Sequence, residues 1–158
     1  MKKWLQIALL CLLVLALASF ASRPAIVKGS ASELLEGAEV PPAVLATIGR
    51  ACRDCHSEAT RYPWYSYVAP VSFLIGHDVT EGRRHLNLSR WKGLPLVRRQ
   101  RSLSDIANQV TSREMPLSFY TLLHPDARLS QADIDRIFEW TQAERARLIS
   151  ESMGKSAP

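Results

Sequence analysis

Cys52-Arg53-Asp54-Cys55-His56 constrains this chain more than any other feature. It spells C-x-x-C-H, the pattern that attaches a c-type haem. Two thiols at this spacing can each add across one vinyl group of the same porphyrin. The next residue then presents an imidazole to the iron from one face. Two other readings use the same cysteines. A redox disulfide of the thioredoxin kind sits between a strand and a helix, and no such pattern surrounds the motif. A structural zinc site needs four ligands, and the chain has no second cysteine pair.

The N-terminus carries an address. Lys2 and Lys3 precede an almost wholly apolar run from Trp4 to Phe20, in which Gln6 is the only strongly polar residue before Ser19. Ser19-Phe20-Ala21 puts small residues where a signal peptidase reads, so cleavage after Ala21 is one expectation. The other is an uncleaved anchor, because the run approaches spanning length. Residues 1–21 are therefore read as a signal peptide or membrane anchor, with residues 4–20 as the tether if it is kept. Either implies an exported, periplasmic location, soluble or held at the inner membrane. Cys11 lies inside this run. Leu10 precedes it where a lipoprotein cleavage site needs a small residue, so Cys11 stands apart from the motif.

A chain of 158 residues is one domain by size. Its formal charge is +5, and Lys2 and Lys3 supply two of those charges, so +3 remains without them. That is a weak basic bias and gives no argument for nucleic acid. Arg98, Arg99 and Arg101 form the densest cluster, read as a solvated loop or as a docking patch for an acidic redox partner.

Residues 22–40 carry Pro, Gly, Ser and scattered charge, and read as a linker. The folded domain is expected over 41–148, with a flexible tail over 149–158. Pro41-Pro42 opens a helix over 43–51, with Val44, Leu45 and Ile48 at helical spacing. Pro70 starts a second helix with an apolar side of Val71, Phe73, Leu74, Ile75 and Val79, weakened at its end by Gly82. Asn87 to Pro95 reads as loop. Ser102 or Ser104 caps a third helix carrying Ile106 and Val110. Ser130-Gln131-Ala132-Asp133 starts a last helix, whose apolar side holds Ile134, Ile137, Phe138 and Trp140. Val44 and Ile48 are expected to cross Ile137 and Trp140. Strand-like alternation is absent, so the fold class is all-α.

An iron with one His needs its other face explained. Met115, followed by Pro116, is the first candidate. Met1 leaves with any signal, and Met153 sits in the polar tail. A thioether is soft and favours ferrous iron, which suits electron transfer. An ordinary core methionine is the plain alternative. His85 or His124 as distal ligand, and an open sixth site, are the competing readings.

Several blocks in order resemble a known family. They are Cys52 to Ser57, Tyr62-Pro63-Trp64-Tyr65, Ala69-Pro70-Val71-Ser72 and Glu81-Gly82-Arg83, then Leu86 to Trp91, Met115-Pro116-Leu117, Tyr120, His124-Pro125 and Leu129-Ser130 through Trp140. From about residue 45 to 142 the chain resembles the small bacterial haem-binding domain proteins, a cytochrome c-like group. The resemblance implies a compact helical fold around one covalent haem c, and an exported location. By matching positions it implies attachment through Cys52 and Cys55, His56 as proximal ligand and Met115 as distal ligand. Trp64, Tyr65 and Trp91 are expected to pack in the core or on the haem. Arg83, Arg84 and Arg90 are either propionate partners or solvent-exposed.

The expectation for function is a monohaem electron carrier rather than an enzyme. Its partners would be redox proteins and the haem c maturation machinery. The alternative is a haem protein with an open or displaceable distal site that handles peroxide or a gas.

Overall fold

The computed structural model describes residues 2–24 and 34–154, all helix, 3-10 helix, turn and coil, with no strand among them. Seven α-helices follow in order: α1 Lys2–Ala21, α2 Pro42–Ala51, α3 Arg53–His56, α4 Val71–His85, α5 Leu96–Thr111, α6 Ser118–Leu123 and α7 Gln131–Gly154. The fold is all-α, as the periodicities indicate.

The core forms where α5 packs along α7 and α2 crosses it. Val44 and Ile48 join Ile137 and Trp140 in one buried cluster with Leu103, Val110 and Leu148. This is the first-with-last helix crossing that the sequence suggests. Prolines punctuate the chain as their fixed φ requires. Pro42 is the first residue of α2, and Pro70 stands immediately before α4.

Four local readings change. Residues 34–40 are not a linker: Leu35 is 1 % exposed and belongs to the core. Leu35 has a φ of 61°, a left-handed conformation that costs a bulky residue about 1–2 kcal/mol. Burial of its side chain and the bond from its N–H to the Leu88 carbonyl (2.9 Å) oppose that cost. The segment is also tied to α7, since Trp140 Nε1–H donates to the Glu39 carbonyl at 2.9 Å. Composition misled here because two leucines among polar residues carry no period. The rest of the linker reading, from 25 to 33, lies outside the described residues.

The tail expected from 149 is helical through Gly154, because Arg147 pairs with both Glu144 and Glu151 along α7. Residues 155–158 lie outside the described residues. The third helix, α5, starts after Pro95 rather than at Ser102 or Ser104, so Arg98, Arg99 and Arg101 are helical and not a loop. The stretch from Asn87 to Pro95 contains a 3-10 helix, Leu88–Gly93, with Leu88 and Trp91 buried. The Asn87 side chain accepts from the Ser89 N–H at 3.1 Å and sets that turn.

The start of α7 is a capping box. Asp133 N–H donates to Ser130 Oγ (3.1 Å), while Asp133 Oδ2 accepts from the Ser130 N–H (3.0 Å) and hydroxyl (2.7 Å). Arg50 and Arg136 each pair with the same carboxylate at 2.8 Å, which ties α2 to α7. Burial pushes the Asp133 carboxyl up, but the bonds from Ser130, Arg50 and Arg136 outweigh it and hold the group below the ordinary carboxylate range. A depressed folded-state value contributes stability above the unfolded pKa of about 3.9 that is lost as pH falls below it. Asp133→Asn is expected to cost about 3 kcal/mol at pH 7. It should also flatten the acid limb of a urea-midpoint profile below pH 4. An unchanged acid limb would show that this carboxylate does not drive the transition.

Candidate functional site

Cys52 closes α2 and opens α3. Cys52 N–H bonds the Ile48 carbonyl at 2.9 Å, and His56 N–H bonds the Cys52 carbonyl at 3.0 Å. Helical spacing therefore places Cys52, Cys55 and His56 on one side, three and four residues apart. Both thiols are half-buried and unbridged. Burial, then the neighbouring Cys55, pushes Cys52 up to about 12. Burial, then Asp78 and Asp54, pushes Cys55 up to about 11. Both are protonated thiols at neutral pH. Cys11 stands apart, exposed on α1.

His56 is oriented by the last turn of α4. Its Nδ1 lies 2.9 Å from the Gly82 carbonyl and 3.1 Å from the Leu86 carbonyl. Carbonyls only accept, so Nδ1 carries the proton and Nε2 keeps its lone pair. Both carbonyls lie at the C-terminal end of α4, and that of Gly82 also accepts the Leu86 N–H at 2.9 Å. Burial also lowers the imidazole's pKa, against the pull of the Leu86 and Gly82 bonds, which favours the neutral ring.

The close approach of α3 and α4 depends on Gly82. A Cβ there would stand 2.7 Å from the Cys55 carbonyl oxygen. Gly82 is thus an interior contact residue of α4, not a weak end. Arg83 clamps the same junction, with Nε on the Ser57 carbonyl (2.8 Å) and Nη2 on Thr60 Oγ1 (2.8 Å). Of the propionate candidates, Arg83 is held there, Arg84 pairs with Glu81 and Arg90 pairs with Glu58.

Met115 stands on a separate segment. It is half-buried in the turn that leaves α5, with its N–H on the Gln109 carbonyl at 3.1 Å. What ties this segment to α3 is Tyr120 on α6, whose hydroxyl donates to Asp54 Oδ2 at 3.1 Å. Tyr120 stacks on His124 at 4.3 Å, and His124 Nε2 meets the Tyr65 hydroxyl at 2.6 Å. That nitrogen is therefore already engaged. His85 Nε2 sits beside Arg84 Nη2 at 3.0 Å, on an exposed side of α4. The structure thus gathers Cys52, Cys55 and His56, while Met115 stands on a different segment, which Tyr120 ties to α3.

The aromatic expectation divides. Trp91 is 0 % exposed in the core, and Tyr65 is held by His124. Trp64, at the start of the 3-10 helix Trp64–Tyr67, is 78 % exposed. The pairs Tyr65–His124 and Tyr120–Asp54 escaped sequence reasoning. Each residue lay in a noted block or beside one, but no spacing rule links positions 59 or 66 residues apart.

The family described as "Haem-binding domain" matches residues 10–143. This chain belongs to the haem-binding domain family. It is a haem protein with an all-α fold. Among curated proteins, "Cytochrome c peroxidase Ccp" of Escherichia coli (strain K12) is similar, 27 % identical over 101 residues. The match covers 61 % of this chain, and the chain spans 22 % of that relative's length. No solved structure matches.

The donor set fits a haem of the c type. A neutral imidazole with a free Nε2 and two unbridged thiols share one side of a helix. Among the described residues, no three His, Cys, Asp or Glu side chains gather as a site for a bare metal ion.

Proposed function

We propose that this haem-binding domain protein is an exported monohaem c-type cytochrome that transfers single electrons. The observation that carries this reading is His56: both partners of Nδ1 are carbonyl acceptors, and Nε2 is left for iron. Cys52 and Cys55 supply the thioether sulfurs. Each S–H would add across a vinyl group of the haem, forming one C–S bond and leaving the hydrogen on the other vinyl carbon. No oxidant is consumed. The haem c maturation machinery would carry out this step. The bound group supplies a ferric/ferrous couple, which exchanges one electron with a redox partner protein.

Met115 supplies the distal sulfur in this reading. Phe119, Leu122 and Leu123, exposed on α6 just beyond it, supply apolar cover for the porphyrin. The carboxylate of Asp54 holds α6 in place through Tyr120.

The location proposed is outside the inner membrane, with α1 kept as an anchor. Two observations favour retention over cleavage. The family match begins at residue 10, inside α1. Ser19 and Ser22, on either side of the cleavage point, bond the domain at Ala69 and Ser72.

A second reading has its own support. The similarity to a protein named a cytochrome c peroxidase favours a displaceable sixth position that meets peroxide. Optical spectroscopy of the full chain, matured in a host competent for haem c, separates the two. The carrier reading expects a c-type haemochrome and the red thioether-to-ferric-iron band. Met115→Ala should lose the band and keep the haem, whereas Cys52→Ala/Cys55→Ala should lose covalent haem on denaturing gels. A band that survives Met115→Ala removes Met115 as ligand. No band in the parent protein, with fast carbon monoxide binding once reduced, moves the assignment to peroxide or gas chemistry.

A further inference from the structure

Much of the apolar side of α4 stays out of the core. Only Ser72 and Val79 of this helix are buried. Phe73 is 55 % and Leu74 49 % exposed, and Val68, Val71, Tyr67 and Trp64 beside them are exposed as well. Exposed apolar side chains concentrated in one stretch of a folded domain point to an interaction site.

What lies next to this surface is the end of α1. Ser19 Oγ accepts from the Ala69 N–H at 3.0 Å, and the Ser22 and Ser72 hydroxyls meet at 2.5 Å. Tyr67 shares a cleft with Ala16, Ser19, Phe20, Arg23 and Pro24. α1 has 20 residues, a mean hydropathy of 2.4 and no buried residue. At 1.5 Å per residue it is about 30 Å long, the thickness of a bilayer's hydrocarbon core. Lys2 and Lys3 at its start favour a cytoplasmic N-terminus, so the last turn reaches the outer interface. Arg23 lies 4.8 Å over the Phe20 ring there, an arrangement suited to a side chain that reaches back to headgroups. Residues hydrogen-bonded to Ser19 and Ser22 stand at that same depth.

We infer that the face formed by Trp64, Tyr67, Val68, Val71, Phe73 and Leu74 rests on the outer surface of the lipid bilayer, so that the haem-binding domain lies against the membrane. The inference builds on the proposal that α1 is retained as an anchor. Trp64 and Tyr67 are the residue types that concentrate at the headgroup level, and the aliphatic and Phe side chains enter just below it. Lipid contact also accounts for an amphipathic helix much of whose apolar side the core leaves uncovered. The consequence for function is orientation. A domain held by one helix and one face presents a constant side to its partners, rather than tumbling on a tether.

The test uses the full-length, haem-loaded protein in phosphatidylcholine/phosphatidylglycerol vesicles. In a Cys11→Ser background, nitroxides are attached at Phe73→Cys, Leu74→Cys, Val97→Cys or Leu13→Cys. Collision with oxygen is compared with collision with a water-soluble nickel chelate. The oxygen-to-chelate ratio at 73 and 74 is expected to be several-fold above that at 97, which is exposed on α5, and to approach that at 13. Val71→Cys reports the same face should Phe73→Cys fail to take up haem. Labels at 73 and 74 that behave like 97, with 13 in the bilayer, overturn the inference and leave the anchor standing. A label at 13 that is water-exposed or absent from the mature chain overturns both. Labels shielded from both probes and relaxed by the iron would mean that the haem covers this face. Spin–spin broadening between chains would mean that a second copy does, and either result overturns the inference.

Discussion

Gly82→Val is expected to lower covalent haem incorporation several-fold while the helical circular dichroism stays close to that of the parent. The added Cβ would stand 2.7 Å from the Cys55 carbonyl oxygen and 3.2 Å from the Cys55 carbonyl carbon and Cβ. The first obstacles are backbone atoms, which cannot rotate aside as a flexible side chain does. α3 must withdraw from α4, and overpacking of this kind costs about 1–3 kcal/mol or more. The withdrawal also breaks the bonds from His56 Nδ1 to the Gly82 and Leu86 carbonyls, which hold the imidazole in one tautomer and one orientation. Gly76→Ala is the matched control. It lies on the same helix with nothing within 4 Å of an added Cβ, so it should stabilise by about 0.5–1 kcal/mol. Haemochrome yield per protein and thermal midpoints check both variants. Normal haem incorporation in Gly82→Val would show that the contact between α3 and α4 does not position the attachment motif.

Trp91→Ala is expected to cost about 3–5 kcal/mol in urea unfolding, a large share of a small domain's total stability. The indole is fully buried within the cluster that includes Leu35, Leu88 and Leu103. Its Nε1–H meets no acceptor among the described residues, so volume is the larger part of the expected loss. Trp91→Phe should therefore cost only about 1 kcal/mol, since it removes no bond and leaves a smaller cavity. Equal losses for Ala and Phe would instead assign Trp91's importance to its N–H.

The contrast between Trp91 and Trp64 shows where sequence reading stopped. Both are expected to pack in the core or on the haem, because both are large and apolar with one polar tip. One fills the core and the other is 78 % exposed. The apolar side of α4 was legible as a periodicity, yet its periodicity says nothing of what covers it. Leu35 is the reverse case, a buried residue in a segment whose composition reads as a tether. At the site, the spacing of Cys52, Cys55 and His56 was legible because one helical turn brings them together. The hold of α4 on His56 and of Tyr120 on Asp54 was not, because both cross long stretches of chain.

The sequence by itself determined the helical class, the starts of α2, α4 and α7, the apolar N-terminal helix and the one-turn cluster of two thiols and an imidazole. All of these depend on interactions within a few residues: fixed proline φ angles, a capping box, and side chains three and four positions apart. The tertiary structure alone decided which His56 nitrogen is free, why residue 82 is a glycine, and which apolar face the core leaves open. Those depend on how α3, α4 and α6 approach one another, and that approach is set by the summed packing of the whole domain rather than by any local spacing.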